Sequence, residues 1–398
     1  MTLQLYPLVF MYCCGALKNI DASLLEASAG MGVKGSKRFF KVIIPLIMPT
    51  VLASALLVFM RAMADFGTPM LIGEGYRTFP VLIYNEFMGE VGGNSSFASA
   101  ISVIAVVMTA LIFYIQRTVS RRFAHSMSAM NTVTQKKAKG GFKVLIHVFA
   151  YTVVGLSILP QCYVLYTSFL KTEGLVFKDG YSLESYARAF SKMGDAIVHT
   201  LLLVGAALLI TVLLAVLIAY VVTRRRNAVT SLIDMSSMMP YIIPGSVVGI
   251  AMLTAFNKPP LMISGGFLIM IVAFVVRRLP YTIRSGAAIL SQIPLSVEEA
   301  SISLGTGKMK TFFKVTLPMM TNGIISGAVL SCITMITELS SSIILYTGRT
   351  RTLTVSIYTE VIRGNYGVAA ALSAMLTAMT VAALLLFMRI SKSKDITM

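Results

Sequence analysis

The chain of 398 residues is 56% hydrophobic and only 13% charged, with a mean hydropathy of +0.81 and no Trp. That balance excludes an ordinary soluble protein, a disordered chain and a fibrous repeat. The formal charge of +18 suits either nucleic acid or the cytoplasmic loops of a membrane protein, so the position of the charges decides between them.

In chain order, residues 1–17 form an apolar stretch too short to span, with no Lys or Arg before Lys18 and no small-residue cleavage site, which is not the pattern of a signal peptide. Eight longer apolar stretches follow, near 43–63, 98–116, 144–170, 199–222, 231–256, 262–279, 319–345 and 367–388. Each is of the order needed to cross a bilayer, and the Gly and Pro they contain are tolerated in membrane helices. If the connecting segments alternate sides, 18–41, 117–143, 223–230, 277–314 and 389–398 share one face and hold 24 of the 34 Lys and Arg. The positive-inside rule makes that face cytoplasmic. The densest basic cluster, Arg117, Arg121, Arg122, Lys136, Lys137, Lys139 and Lys143, is then a juxtamembrane linker, and we expect no nucleic acid as partner. Cys13, Cys14, Cys162 and Cys332, with His125, His147 and His199, show no metal or redox spacing. We therefore expect no metal site and no cofactor held by this chain.

The most informative feature is a duplication. Residues 26–45, EASAGMGVKGSKRFFKVIIP, match 299–318, EASISLGTGKMKTFFKVTLP, at ten of twenty positions with a constant offset of 273. The same offset pairs Pro7 with Pro280, Ser23 with Ser296 and Asp65 with Glu338. After a one-residue gap it pairs Tyr84 with Tyr358 and Glu86 with Glu360. Both copies of the loop fall on the cytoplasmic side, so the halves are parallel and related by an axis along the membrane normal. Four apolar segments precede the second loop but only part of one precedes the first. We expect a truncated chain, a start assigned too late, or a front supplied by another polypeptide.

Each loop opens with Ser-x-x-Glu, Ser23 to Glu26 and Ser296 to Glu299, the spacing of a capping box at a helix start. Gly32 and Gly305 allow that helix to end. The amphipathic stretches Lys37 to Val42 and Lys310 to Val315 follow, and Pro45 and Pro318 sit where a new helix enters the membrane. The expected product is a paired helix-turn-helix projecting into the cytoplasm. Asp65 and Glu338 are repeat-equivalent acids at the outer helix ends, candidates for a pathway or gate, or else helix-end residues paired with Arg61 or nearby amides.

Glu-Ala-x-x-x-x-Gly, then a Phe-rich stretch and Ile-Pro or Leu-Pro, strongly resembles the EAA loop of the permease subunits of bacterial ABC importers. The resemblance implies an all-α polytopic transmembrane helical bundle of the MetI-like type with a parallel internal repeat, multi-pass in the bacterial cytoplasmic membrane. By it, Glu26, Ala27, Gly32, Glu299, Ala300 and Gly305 are coupling residues that dock on separate ATPase subunits, which bind the ATP, while an extracytoplasmic substrate-binding protein delivers cargo. Residues 1–116 are expected to hold the later part of a first repeat with its loop at 18–45, and 117–143 a basic linker. Residues 144–390 are expected to form a complete six-helix second repeat with its loop at 281–318, and 391–398 a tail. ADFGTPMLIGEGYRTFPVLIY at 64–84 and TELSSSIILYTGRTRTLTVSIY at 337–358 are similar to fused ferric-iron-type permeases, a group that also includes 2-aminoethylphosphonate and thiamine systems. Iron(III) is the expected cargo.

Competing readings are a secondary transporter, an inactive permease remnant and an enzyme. The first predicts acids near the bilayer midplane, whereas within the spans acids fall near the ends, as at Asp234 and Glu338. The second follows from the short first half. No nucleophile, base and orienter stand at suggestive spacings, and GMGVKGSK and GTGKMK fail the P-loop spacing, so no catalytic residue and no ATPase site are expected.

Overall fold

A computed structural model describes residues 1–18, 20–73, 75–89, 94–123, 140–225 and 227–391. The first part of the chain forms α1 (Thr2–Lys18), α2 (Ala22–Gly30), α3 (Gly35–Arg38) and a π turn, Phe39–Ile43, that runs into α4 (Ile44–Ala64). After α4 come α5 (Gly67–Ile72), α6 (Phe79–Met88) and α7 (Ser95–Phe123). The second part begins with α8 (Gly140–Ser168), a hairpin of β1 (Leu170–Glu173) and β2 (Val176–Tyr181), and the 41-residue α9 (Glu184–Arg224). Then follow α10 (Ala228–Ile242), α11 (Gly245–Ala255), α12 (Phe267–Gln292), α13 (Leu295–Ser303) and α14 (Lys308–Thr311). A second π turn, Phe312–Thr316, leads into α15 (Leu317–Ile336), α16 (Ser342–Leu345), α17 (Leu353–Ile362) and α18 (Tyr366–Ser391).

The element order recurs. With the offset of 273, α2 falls on α13, α3 on α14, and one π turn on the other; with one residue more, α6 falls on α17 at both ends. Most of the expected linker, 124–139, and the tail beyond Ser391 lie outside the described residues.

Six described helices are long and apolar enough to cross a membrane, and a bent helix pair adds a seventh. The protein is a multi-pass membrane protein of the helical-bundle class. α8 is the least buried of the candidate spans: the residues it buries, Thr167 and Ser168, stand at its end, while Phe142, Phe149 and Tyr151 are exposed. Such an apolar face calls for hydrocarbon or another apolar surface against it.

The core sits where α9, α12 and α15 meet. α9 turns a stripe of small residues inward, Ala196, Thr200, Ala207, Thr211, Ala215 and Ala219, which lets α12 approach closely enough for dispersion to hold the pair in the absence of a hydrophobic drive. α15 does the same with Gly323 and Gly327, a GxxxG pair. A Cβ on Gly323 would stand 2.3 Å from Ile289 Cγ1, and one on Gly327 2.6 Å from the Cα of Thr282. Leu203, Met270, Phe274 and Met335 fill the centre of this junction.

Several sequence expectations are corrected. The stretch 231–256 is not one span: α10 and α11 are bent by 110°. Pro240 within α10 and Pro244 at the α11 start remove ladder donors and clash with the preceding turn. The stretch 319–345 breaks after Ile336, and Glu338 lies in the non-helical segment 337–341 that follows. The apolar run 262–279 does not give way to a loop at residue 277, because α12 continues through Arg277, Arg278 and Arg284 to Gln292. The amphipathic stretches are not separated from the spans that follow, since Gly35–Ala64 and Lys308–Ile336 are each continuous helices. The Ile44 amide bonds the Phe39 carbonyl and Leu317 that of Phe312, five residues back in both copies. The wider turn accommodates Pro45 and Pro318, which cannot donate and crowd the carbonyl of the turn before. The β1–β2 hairpin was not anticipated in an all-α chain. It seats Leu175 against Gly364, where a Cβ would lie 2.4 Å from Leu175 Cδ2.

Candidate functional site

Two regions gather the residues singled out above. The first is the pair of loops at α2 and α13. The expected capping boxes do not form. Asp21 caps α2 by accepting the Ser23 amide at 2.9 Å, and Pro294 takes the equivalent place before α13 without a side-chain bond. Each helix therefore starts ahead of the serine, which falls within the first turn. The glycine expectation holds: Gly32 and Gly305 have φ of +80° and +85°, the left-handed conformation that ends a helix without steric cost only when no Cβ is present. The bonding is the same in both copies. Val33 bonds the Ser28 carbonyl at 2.9 Å and Thr306 that of Ser301 at 3.2 Å.

Glu26, Ala27, Gly32, Glu299, Ala300 and Gly305 are all exposed. Beside them stand two apolar side chains that sequence reasoning passed over: Met31 is 77% exposed and Leu304 87%. They are repeat-equivalent, and each occupies the C-cap of its helix. A lone exposed Leu means little, but the same exposure at both symmetric tips describes two matching knobs.

The second loop is anchored from behind by a residue that was also missed. Glu298, buried, accepts from Arg224 Nε at 2.7 Å and from the Tyr220 hydroxyl at 3.1 Å, while Arg224 Nη2 donates to the Ile293 carbonyl at 3.0 Å. Tyr220 also meets Phe312 edge-on at 4.8 Å. α13, the end of α9 and the π turn are thus one unit. The signal in the sequence was the doubled Glu298–Glu299, where the first copy has Leu25 and Glu26. In that copy Arg38 Nη1 reaches the Leu25 carbonyl at 3.5 Å and Phe39 is 46% exposed.

The second region is a cavity of about 490 Å³ between the two halves of the chain, within the range of small-ligand pockets. Asp65 and Glu338 both line it, together with Arg61, Arg277, Arg278 and Tyr281. α4 supplies Arg61, and Asp65 caps that helix. α12 carries the two arginines and Tyr281, while Tyr241 enters from α10. The Glu338 carboxylate pairs with Arg277 and Arg278 together and accepts the Ser341 amide at 3.1 Å and its hydroxyl at 3.2 Å. Gly245 makes room for this group, since a Cβ there would stand 2.6 Å from Arg277 Nη1. Arg61 does not pair with Asp65 as the sequence allowed. It donates to the Tyr281 hydroxyl at 3.1 Å, and one oxygen of Asp65 is buried without a partner. The guanidiniums of Arg61 and Arg278 each lie 6.0 Å from the Tyr281 ring centroid. Arg277 and Arg278 were assigned to a loop on charge alone, although two arginines embedded in an apolar helix are themselves a functional signal.

About fourteen residues of α12 separate this cavity from the loop below it, roughly 20 Å at 1.5 Å per residue. Among the described residues, no group of three or more His, Cys, Asp or Glu could hold a metal ion.

The family described as "Binding-protein-dependent transport system inner membrane component" matches residues 1–125 and 188–394. The chain is 30% identical over 393 residues to the ferric transport system permease protein FbpB of Actinobacillus pleuropneumoniae, an alignment covering 96% of this chain and 56% of that protein. It is 24% identical over 380 residues to the Fe(3+)-transport system permease protein FbpB 2 of Haemophilus influenzae, covering 94% and 72%. The chain thus spans little more than half the length of the first of these relatives. Among solved structures, a chain of a bacterial ABC transporter that imports the acidic polysaccharide alginate superposes with a TM-score of 0.51 at 16% identity, over 63% of this chain and 96% of that one, a likeness of fold.

Proposed function

The chain belongs to the family of binding-protein-dependent transport system inner membrane components, and on that premise we propose that it is the membrane-spanning permease of an ATP-driven importer in the bacterial cytoplasmic membrane. Residues 1–116 and 144–390 act as two repeats, one on each side of the cavity. α2 and α13 are the elements through which separate ATPase subunits, which bind the ATP, drive the bundle. An extracytoplasmic binding protein delivers cargo to the opposite face. Ferric iron is the cargo favoured by the 30% identity to a ferric transport permease.

The observation that carries this reading is the matched exposure of Met31 and Leu304 beside Glu26 and Glu299. Burying such a side chain contributes about 1.5–3 kcal/mol, and two symmetric knobs flanked by acids suit a symmetric pair of partner clefts. Anchoring α13 through Glu298, Arg224 and Tyr220 passes a push on the knob into α9 and the π turn rather than letting the loop yield.

The test is ATP-dependent uptake in cells bearing the intact system, compared with Gly305→Val. A valine side chain meets open space there but not the required φ of +85°, at a cost of about 1–3 kcal/mol, so the tip is displaced while the spans remain. Uptake should fall at least tenfold with the protein still inserted. Uptake by wild type that follows an ion gradient without any ATPase would refute the reading.

A further inference from the structure

We infer that the cavity takes its cargo as an oxyanion or as a metal ion wrapped in oxyanion ligands, and not as a bare cation; this rests on the importer reading above. The walls hold three guanidiniums, Arg61, Arg277 and Arg278, against two carboxylates, Asp65 and Glu338. Glu338 is already engaged by two arginines and by Ser341, so it has little left to offer an incoming cation. Asp65 is a single carboxylate standing one helical turn from Arg61. The formal balance of the walls is one positive charge, in a partly buried space where charges act on one another more strongly than in water.

The donors that remain point the same way. Arg61 donates to the Tyr281 hydroxyl at 3.1 Å, a neutral partner that leaves its charge unbalanced. Guanidinium forks match the paired oxygens of carboxylate and phosphate groups. A trivalent cation entering alone would meet these donors with no cluster of three acidic or imidazole ligands among the described residues to receive it. A volume of about 490 Å³ also admits a small chelate. Free oxyanion and metal–oxyanion complex share this chemistry, and the experiment separates them.

The full system in its native cells is given radiolabelled ferric citrate, inorganic phosphate or methylphosphonate, with wild type, Arg61→Gln, Arg61→Lys and Asp65→Asn compared at equal membrane levels. We expect Arg61→Gln to lose at least tenfold in import and Arg61→Lys to keep most of it. Asp65→Asn should raise import about twofold or more at low substrate, by removing a repulsion. Iron and citrate labels entering together in this pattern identify the metal complex, phosphate or phosphonate label identifies the free oxyanion, and iron label entering without citrate counts against the inference. Import of iron that needs Asp65 and tolerates Arg61→Gln would overturn the inference while leaving the importer reading intact. Import of no probe by wild type would overturn the inference, while the importer reading stands or falls on ATP dependence.

Discussion

Arg224 Nε donates to Glu298 Oε1 across 2.7 Å, joining residues 74 apart in the chain and tying α13 to the last turn of α9. Both side chains are largely buried, at 12% and 8% exposure, so solvent screens the pair little. Replacing Glu298 with Ala leaves a buried guanidinium unpaired and should cost about 3–5 kcal/mol. Glu298→Leu combined with Arg224→Met should recover much of that loss, because two apolar side chains need no partner. Thermal unfolding of the detergent-solubilised single and double variants checks this, and full additivity of the two would contradict it.

Leu304→Asp and Met31→Asp should leave the melting temperature within about 1 °C, because surface changes away from packing move stability little. They should nevertheless weaken binding of the ATPase subunit by about tenfold or more each, a difference of roughly 1.4 kcal/mol or above. Titrating purified ATPase subunit onto the solubilised chain separates the two effects. Unchanged affinity in both variants would mean that the knobs dock on nothing.

Two glycines should fail for different reasons. Gly323→Val places a Cβ 2.3 Å from Ile289 Cγ1 and 2.9 Å from the Ser285 carbonyl oxygen, so α15 must move off α12 at a cost of at least about 1–3 kcal/mol. Gly305→Ala meets open space and pays only for its left-handed backbone, about 1–2 kcal/mol. The expected reading is a lower melting temperature and lower membrane level for the first. The second should show nearly normal levels with reduced ATP-dependent uptake.

Glu338→Gln keeps the shape of the side chain but leaves Arg277 and Arg278 adjacent without a counter-charge. We expect a loss of about 3–5 kcal/mol, partly restored by adding Arg277→Gln. Comparing melting temperatures for the two variants tests this, and a double variant no more stable than the single would argue against a shared charge cluster.

What the sequence made legible was what local pattern controls. Ten identities at an offset of 273 foretold that the short helix α2 would recur as α13, whereas the π turns that join each amphipathic stretch to its span were not expected. Gly32 and Gly305 foretold where both short helices end. The N-termini were misread because Ser-x-x-Glu is a common spacing, and the preceding Asp21 and Pro294 took the cap positions. Arg277 and Arg278 were read as loop residues because charge was weighed singly. Their partner Glu338 lies 60 or more residues away, and only tertiary packing makes a charged helix interior tolerable. The knobs at Met31 and Leu304 were invisible because exposure of an apolar side chain is a property of the fold and not of the residue.

The π turn has a mechanical consequence. Because Gly35–Ala64 is one helix of 30 residues, it is a rod about 45 Å long, with the exposed Met31 beside one end and Arg61 and Asp65 at the other. Pivoting such a rod about its loop end by about 10° sweeps the far end through roughly 8 Å, more than twice the width of a water molecule. On the importer reading proposed above, a modest tilt imposed at the loop would open or shut the cavity wall, with the continuous helix Lys308–Ile336 as its counterpart in the second repeat.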